Sequence, residues 1–271
     1  MAELVDAYDS GSYGATCGGS NPLESTTFPL PARSLRRSLT HMQDPVFVQN
    51  AFAKIARRYV ITNHALSLGT DILWRRKVAR LVTELQPATV LDLATGSGDL
   101  AAAILKANPD IQLTGADFCA PMLAHARERQ LPGVPLIVAD ALHLPFADRS
   151  FDCITVAFGL RNMASWPDAL KSMLRVLNPG GHLVILDFSL PTLPLVRPLY
   201  AAYLNHALPR IAGLLTGQQH AYQYLAGSIQ QFPSGPAMCQ LLSSCGFSQP
   251  SATPLSLGIA SVYHASRPPL P

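Results

Sequence analysis

The sequence predicts a doubly wound α/β fold with a mostly parallel sheet of seven strands. Two observations carry this reading. Short apolar runs alternate with helix-period stretches from Thr89 onward, and one apolar run, Val90 to Leu93, passes through a small-residue turn straight into a helix. The elements follow in order. Residues 1–44 are rich in Gly, Ser, Thr and Pro with no hydrophobic period, and are read as a flexible tail. Arg33, Arg36 and Arg37 lie in it, either a solvated basic stretch or a patch for an anionic lipid or a partner. Residues 45–271 form the folded domain. Phe47, Ala51, Phe52 and Ile55, then Leu81, Val82 and Leu85, repeat at helical spacing. Strands are expected at Thr89–Leu93, Ile111–Ala116, Val134–Val138, Asp152–Ala157 and His182–Phe188. Helices are expected at Leu100–Ala107, Met122–Arg129 and Ala169–Leu177, the last ended by Pro179-Gly180-Gly181. A ligand-binding core thus spans 85–189. Residues 190–245 form a helical insertion, and 246–271 supply two antiparallel edge strands.

Composition narrows the functional classes. The net charge of +3 is too mild for a nucleic-acid footprint. Cys17, Cys119, Cys153, Cys239 and Cys245 show no metal-ligand spacing, so no metal site is expected, and free thiols suit a reduced, cytoplasmic setting. No apolar run is long enough to span a bilayer, and the acidic N-terminus lacks a signal-type apolar region.

The chemistry concentrates in Val90-Leu91-Asp92-Leu93-Ala94-Thr95-Gly96-Ser97-Gly98-Asp99-Leu100. Gly96 and Gly98 let the backbone approach a ligand, and N–H groups at the helix start attract an anion. Gly96-x-Gly98-x-x-Ala101 also fits a dinucleotide fingerprint, which keeps an NAD(P) oxidoreductase as an alternative. Three acids argue for another ligand. Asp92, inside the strand, would hold the turn or meet an ammonium. Asp117 would accept from a ribose diol, and Asp140, followed by Ala141, from an adenine amine. Each acid alone fits a helix cap or turn. In this order they fit S-adenosylmethionine.

These stretches resemble the ubiquinone/menaquinone C-methyltransferases. The resemblance is carried by Leu91-Asp92-Leu93-Ala94-x-Gly96-x-Gly98-Asp99-Leu100, Ala141-x-x-Leu144-Pro145-Phe146, Phe158-Gly159-Leu160-Arg161-Asn162, Met173-x-Arg175-Val176-Leu177-x-Pro179-Gly180-Gly181 and Tyr222-x-Tyr224-Leu225. It covers roughly 46–266. Ala94 replaces the family's usual first Gly, Val60 follows Tyr59 where Asp is usual, and Ala157 stands for the usual Ser. The resemblance implies a Rossmann-like class I methyltransferase that methylates a ring carbon of a prenylated quinol. It places Ser97, Asp117, Asp140, Ala141 and the Ala157 position at the cofactor, and Arg161 in deprotonation with a water. Asn162 would orient that water or the ring oxygen. Read from the residues themselves, Tyr59, a catalytic candidate, and Tyr222 and Tyr224 line the ring pocket or pack in the core, and His206 and His220, in the insertion over the site, are a candidate base and pocket residue or surface and capping residues. The apolar insertion would cap an isoprenoid tail, pack as a plain helix pair, or form a homodimer face. A lipid-tailed substrate implies peripheral visits to a membrane. Other small aromatic or lipid acceptors, or a non-catalytic scaffold, are the competing readings.

Overall fold

The computed structural model describes residues 69–128, 131, 133–207 and 226–270. The predicted N-terminal tail, the helical pattern before Gly69, Tyr59, His220, Tyr222 and Tyr224 lie outside them. In chain order the elements are α1 (Thr70–Glu84), β1 (Thr89–Leu93), α2 (Asp99–Ala107), β2 (Gln112–Asp117), α3 (Ala120–Glu128), β3 (Leu136–Val138) and β4 (Phe151–Ala157). A 3-10 turn over Leu160–Asn162 leads to α4 (Trp166–Val176) and β5 (Leu177–Phe188). Then come α5 (Val196–Ala202), a π turn (Tyr203–Ala207), α6 (Pro236–Ser244), β6 (Ser248–Leu255) and β7 (Ala260–Ser266).

The sheet has seven strands in the order β3-β2-β1-β4-β5-β7-β6. The first five are parallel, and β7 and β6 join antiparallel at the edge. This is the predicted doubly wound sheet. Its order reverses between β1 and β4, so a crevice opens beyond their carboxyl ends.

Strand alternation builds two cores. Leu91, Leu93, Ile154, Leu183, Ile185 and Tyr263 face α4 and α6, meeting Leu170, Met173, Met238 and Leu242. Val90, Cys153, Val184, Leu186 and Val262 face α1 and α2, meeting Trp74, Val78, Leu100 and Ile104. The period explains α4. Ala169, Leu170, Met173 and Val176 form one buried stripe, and Ser165 opens the helix by accepting from the Asp168 N–H at 3.4 Å.

Two boundaries differ from expectation. Pro179-Gly180-Gly181 is not a turn outside the sheet, because β5 already begins at Leu177. The Gly180 N–H donates to the Arg267 carbonyl and the Arg267 N–H to that of Gly181, so the glycines form a paired extension of the strand. The insertion read as running to 245 also divides. Tyr200, Leu204, Ala226 and Ile229 form a small cluster of their own. Met238, Leu242 and Cys245 belong to the main core instead. An apolar stripe on α6 buries against the sheet and so ends the insertion before Pro236.

Candidate functional site

The crevice is built first by backbone. Ala94 ends β1 at φ +54°, Gly96 follows at +57° and Gly98 at +79°, while Phe158 leaves β4 at +57°. A bulky residue in the left-handed region stores strain, and such strain gathers at ligand sites. Here it turns both central strand ends sharply outward. The two turns also interlock. A Cβ on Gly159 would stand 2.4 Å from that of Ala94, so only glycine fits there while Ala94 keeps its methyl.

The carboxylates then fix the turns. Asp92 is buried; its Oδ2 accepts from Thr95 Oγ1 at 2.6 Å and its Oδ1 from Thr155 Oγ1 at 2.7 Å. Burial raises its pKa to about 6, with the hydroxyls of Thr95 and Thr155 and the charge of Arg75 pulling the other way. Both bonds tie Asp92 to the turn and to β4, the first of its two expected roles. Asp117 spans from β2 to the glycine turn. Its Oδ2 accepts from the Gly96 N–H and its Oδ1 from the Cys119 N–H, each at 2.8 Å. Burial pushes its carboxyl up, and those two N–H groups restrain it. Ser97 is buried and donates to Asp99 Oδ2 at 2.6 Å, bracing the first turn of α2. Asp140 ends the β3 segment half-exposed; its Oδ1 accepts from the Leu142 N–H at 2.9 Å, which turns the chain through Ala141.

A carboxylate offers about four acceptor positions. Asp117 commits two to backbone and keeps two, enough for a diol. Exposed Phe118 follows it as an apolar face between the Asp117 and Asp140 carboxylates in sequence. Glycine turn, diol acceptor and second carboxylate lie beyond three adjacent strands, and this donor set fits S-adenosylmethionine.

On the far side of the switch point lies an ion pair. Arg161 is buried, and its Nη1 donates to Asp187 Oδ1 at 2.6 Å and to the Phe158 carbonyl at 2.7 Å. Its guanidinium lies 5.2 Å from the Phe188 ring centroid and 5.9 Å from that of Phe158. Burial pushes the Asp187 carboxyl up, and Arg161 opposes the shift. Asn162 donates to the same Phe158 carbonyl at 3.3 Å. The Phe-Gly-Leu-Arg-Asn segment is thus a knot tied to the end of β5. Ala157 sits half-buried at the end of β4. His206 is exposed on the π turn, where the sequence had suggested the pocket or its approach.

Sequence reasoning missed Thr95, Thr155, Asp187 and Tyr200. A lone acid inside Val184-Ile185-Leu186-Asp187-Phe188 was a usable signal for Asp187. Tyr200 is buried, its hydroxyl held protonated by burial and by Tyr203 against the pull of Arg161; nothing local in the sequence marks it. Among the described residues no cluster of His, Cys, Asp and Glu could hold a metal.

Known proteins resemble this chain in sequence and in fold. The model of the ubiE/COQ5 methyltransferase family matches residues 39–267. A demethylmenaquinone methyltransferase from Thermus thermophilus is 42% identical over 80% of this chain and 100% of its own length. A ubiquinone/menaquinone biosynthesis C-methyltransferase from Bdellovibrio bacteriovorus is 38% identical over 82% and 97%. Among solved structures, a SAM-dependent methyltransferase from Thermotoga maritima superposes with a TM-score of 0.60 at 18% identity, covering 81% of this chain and 99% of that one. At that identity the likeness speaks for the fold.

Proposed function

This chain belongs to the ubiE/COQ5 methyltransferase family, and from that premise we propose that it transfers a methyl group from S-adenosylmethionine to a ring carbon of a prenylated quinol, within respiratory quinone synthesis. The observation that carries the cofactor half is the Asp117 bridge, which joins the glycine turn to the end of β2 while keeping acceptor positions for a diol. The relatives' substrates support the acceptor half.

The cofactor supplies an electrophilic methyl on a sulfonium. Asp117 would hold the ribose, Asp140 the adenine amine, and the glycine turn the amino-acid end. Methyl transfer to carbon requires a phenolate, whose charge spreads to the ortho carbon, so the ring hydroxyl must pass its proton through a bound water to solvent; once methylated, the ring carbon must give up its own hydrogen as a proton, which returns to the ring oxygen and restores the aromatic quinol. Arg161 would favour the phenolate. Because Asp187 and the Phe158 carbonyl fix its guanidinium, that charge needs no reorganisation during reaction. Phe158 and Phe188 would keep bulk water out.

The test begins with calorimetric titration by S-adenosylhomocysteine beside NADH. Binding of the first alone is expected; binding of NADH alone would return the site to an oxidoreductase. Labelled methyl transfer to a short-tailed quinol follows, with Arg161→Lys compared to wild type. A loss of about a hundredfold in kcat with S-adenosylhomocysteine affinity retained is expected. Unchanged kcat would remove Arg161 from the reaction. Full binding with no turnover on any quinol would favour the scaffold reading.

A further inference from the structure

No Asp or Glu occurs anywhere after Asp187. This acid-free stretch supplies α5, α6 and the β6–β7 hairpin. On it, large apolar side chains stand open to solvent: Leu195 is 83% exposed, Leu199 73% and Leu257 67%. Leu73, at the start of α1, is 59% exposed.

Contacts between their chain neighbours bring the segments that carry these residues together. Trp74, next to Leu73, donates its Nε1–H to Ser256 Oγ at 3.0 Å, next to Leu257. A Cβ on Gly258 would lie 3.1 Å from the Pro191 Cα, which leads into the Leu193–Leu199 segment. The Ser189 N–H donates to the Ile259 carbonyl, and α5 packs through Tyr200 against Leu190 and Ile259. The strand register sets the height of this surface. Ala260 pairs with Phe188, so the 256–258 turn lies at the carboxyl end of β5, level with Asp187.

Exposed cations accompany the leucines. Arg197 lies between Leu195 and Leu199, and Arg76, Lys77 and Arg80 continue along α1 from Leu73. The one acid at this end of α1, Asp71, is buried and bonded to Arg75. Apolar tips with cations and, among the described residues of this face, no exposed carboxylate match an anionic bilayer surface, where leucines enter the acyl boundary and cations meet phosphates. Among the described residues no helix is long and apolar enough to cross a membrane.

We propose that this face, formed by the start of α1, the 190–199 segment and the β6–β7 turn, docks the protein peripherally on an anionic lipid surface. Docking presents the carboxyl ends of β4 and β5, with the Arg161–Asp187 pair, to the bilayer. The proposal rests on the reading of a lipid-borne acceptor and adds where that acceptor enters.

The experiment is flotation of the full chain with quinol-free phosphatidylcholine vesicles, with and without phosphatidylglycerol. Wild type should float with the anionic vesicles and release at high salt. Leu195→Ser/Leu199→Ser should bind at least tenfold more weakly, and Arg197→Gln about fivefold more weakly. Both variants should keep S-adenosylhomocysteine affinity and turnover of a short-tailed quinol in solution, which excludes misfolding. Absence of wild-type binding, or equal binding by the variants, overturns the proposal. So does a wild-type dimer that the leucine variant turns into a monomer with vesicle binding unchanged, which would make the face a contact between copies. Because the vesicles hold no quinol, vesicle binding without methylation sinks only the acceptor reading, and methylation in solution without vesicle binding sinks only the docking.

Discussion

At the residue scale, Asp92 and the Ala94–Gly159 contact carry the sharpest predictions. Asp92 has a folded-state pKa of about 6, above its ordinary 3.8. The folded protein therefore prefers its protonated form, and ionisation costs stability as pH rises from about 4 to about 6. Asp92→Asn removes that charge while retaining the size and part of the bonding. Urea denaturation should show the variant gaining on wild type as pH rises through this window, toward about 3 kcal/mol. A difference constant with pH would mean that Asp92 does not titrate there. Gly159→Ala should cost about 2 kcal/mol, because its Cβ would collide with a methyl fixed directly to the backbone. Ala94→Gly in the same chain should recover most of that loss, and it relieves the φ of +54° as well. Additive costs in this double-mutant cycle would show that the two turns do not touch.

At the scale of elements, the β5–β7 pairing contains two neighbouring imidazoles. His264 Nε2 and His182 Nδ1 are 3.1 Å apart, and His182 Nδ1 also lies 3.1 Å from Ser266 Oγ. Burial lowers both histidine pKa values, with His182 adding to the shift of His264. The folded state holds them neutral, so their contribution is intact above the ordinary value of 6.5 and is lost as pH falls below it. Amide exchange in β6 and β7 should accelerate below that pH more than in β1, and His264→Gln should flatten the difference. Uniform acceleration across the sheet would count against the pair. The elements themselves were largely legible, because a buried parallel strand is an apolar run and a surface helix a periodic one. The paired stretch Leu177–Gly181 was not, since its partner Arg267 lies far along the chain. The site divides in the same way. Asp117 and Asp140 follow strands and could be placed by counting, whereas Asp187 joins Arg161 only once β4 and β5 lie side by side.

At the scale of the whole molecule, the first described helix leans on the last strands. Trp74 and Val78 of α1 share a core with Val184 and Leu186 of β5 and Val262 of β7, and Trp74 is bonded to Ser256. Ending the chain at Leu255 would remove β7 from between β5 and β6. It would uncover Leu183 and Ile185 on one face of the sheet and Trp74 and Val184 on the other. Such a truncation should be insoluble or cleaved rapidly by protease, whereas ending at Arg267 should leave the thermal midpoint within a few degrees of wild type. The order of synthesis then matters. As the chain leaves the ribosome, α1 can meet β1 and α2 at once, but the part of its apolar stripe that rests on β5 and β7 stays uncovered until they arrive. The stretch from α1 to β7 must all be made before Trp74 and Val78 are covered on the side that β5 and β7 close.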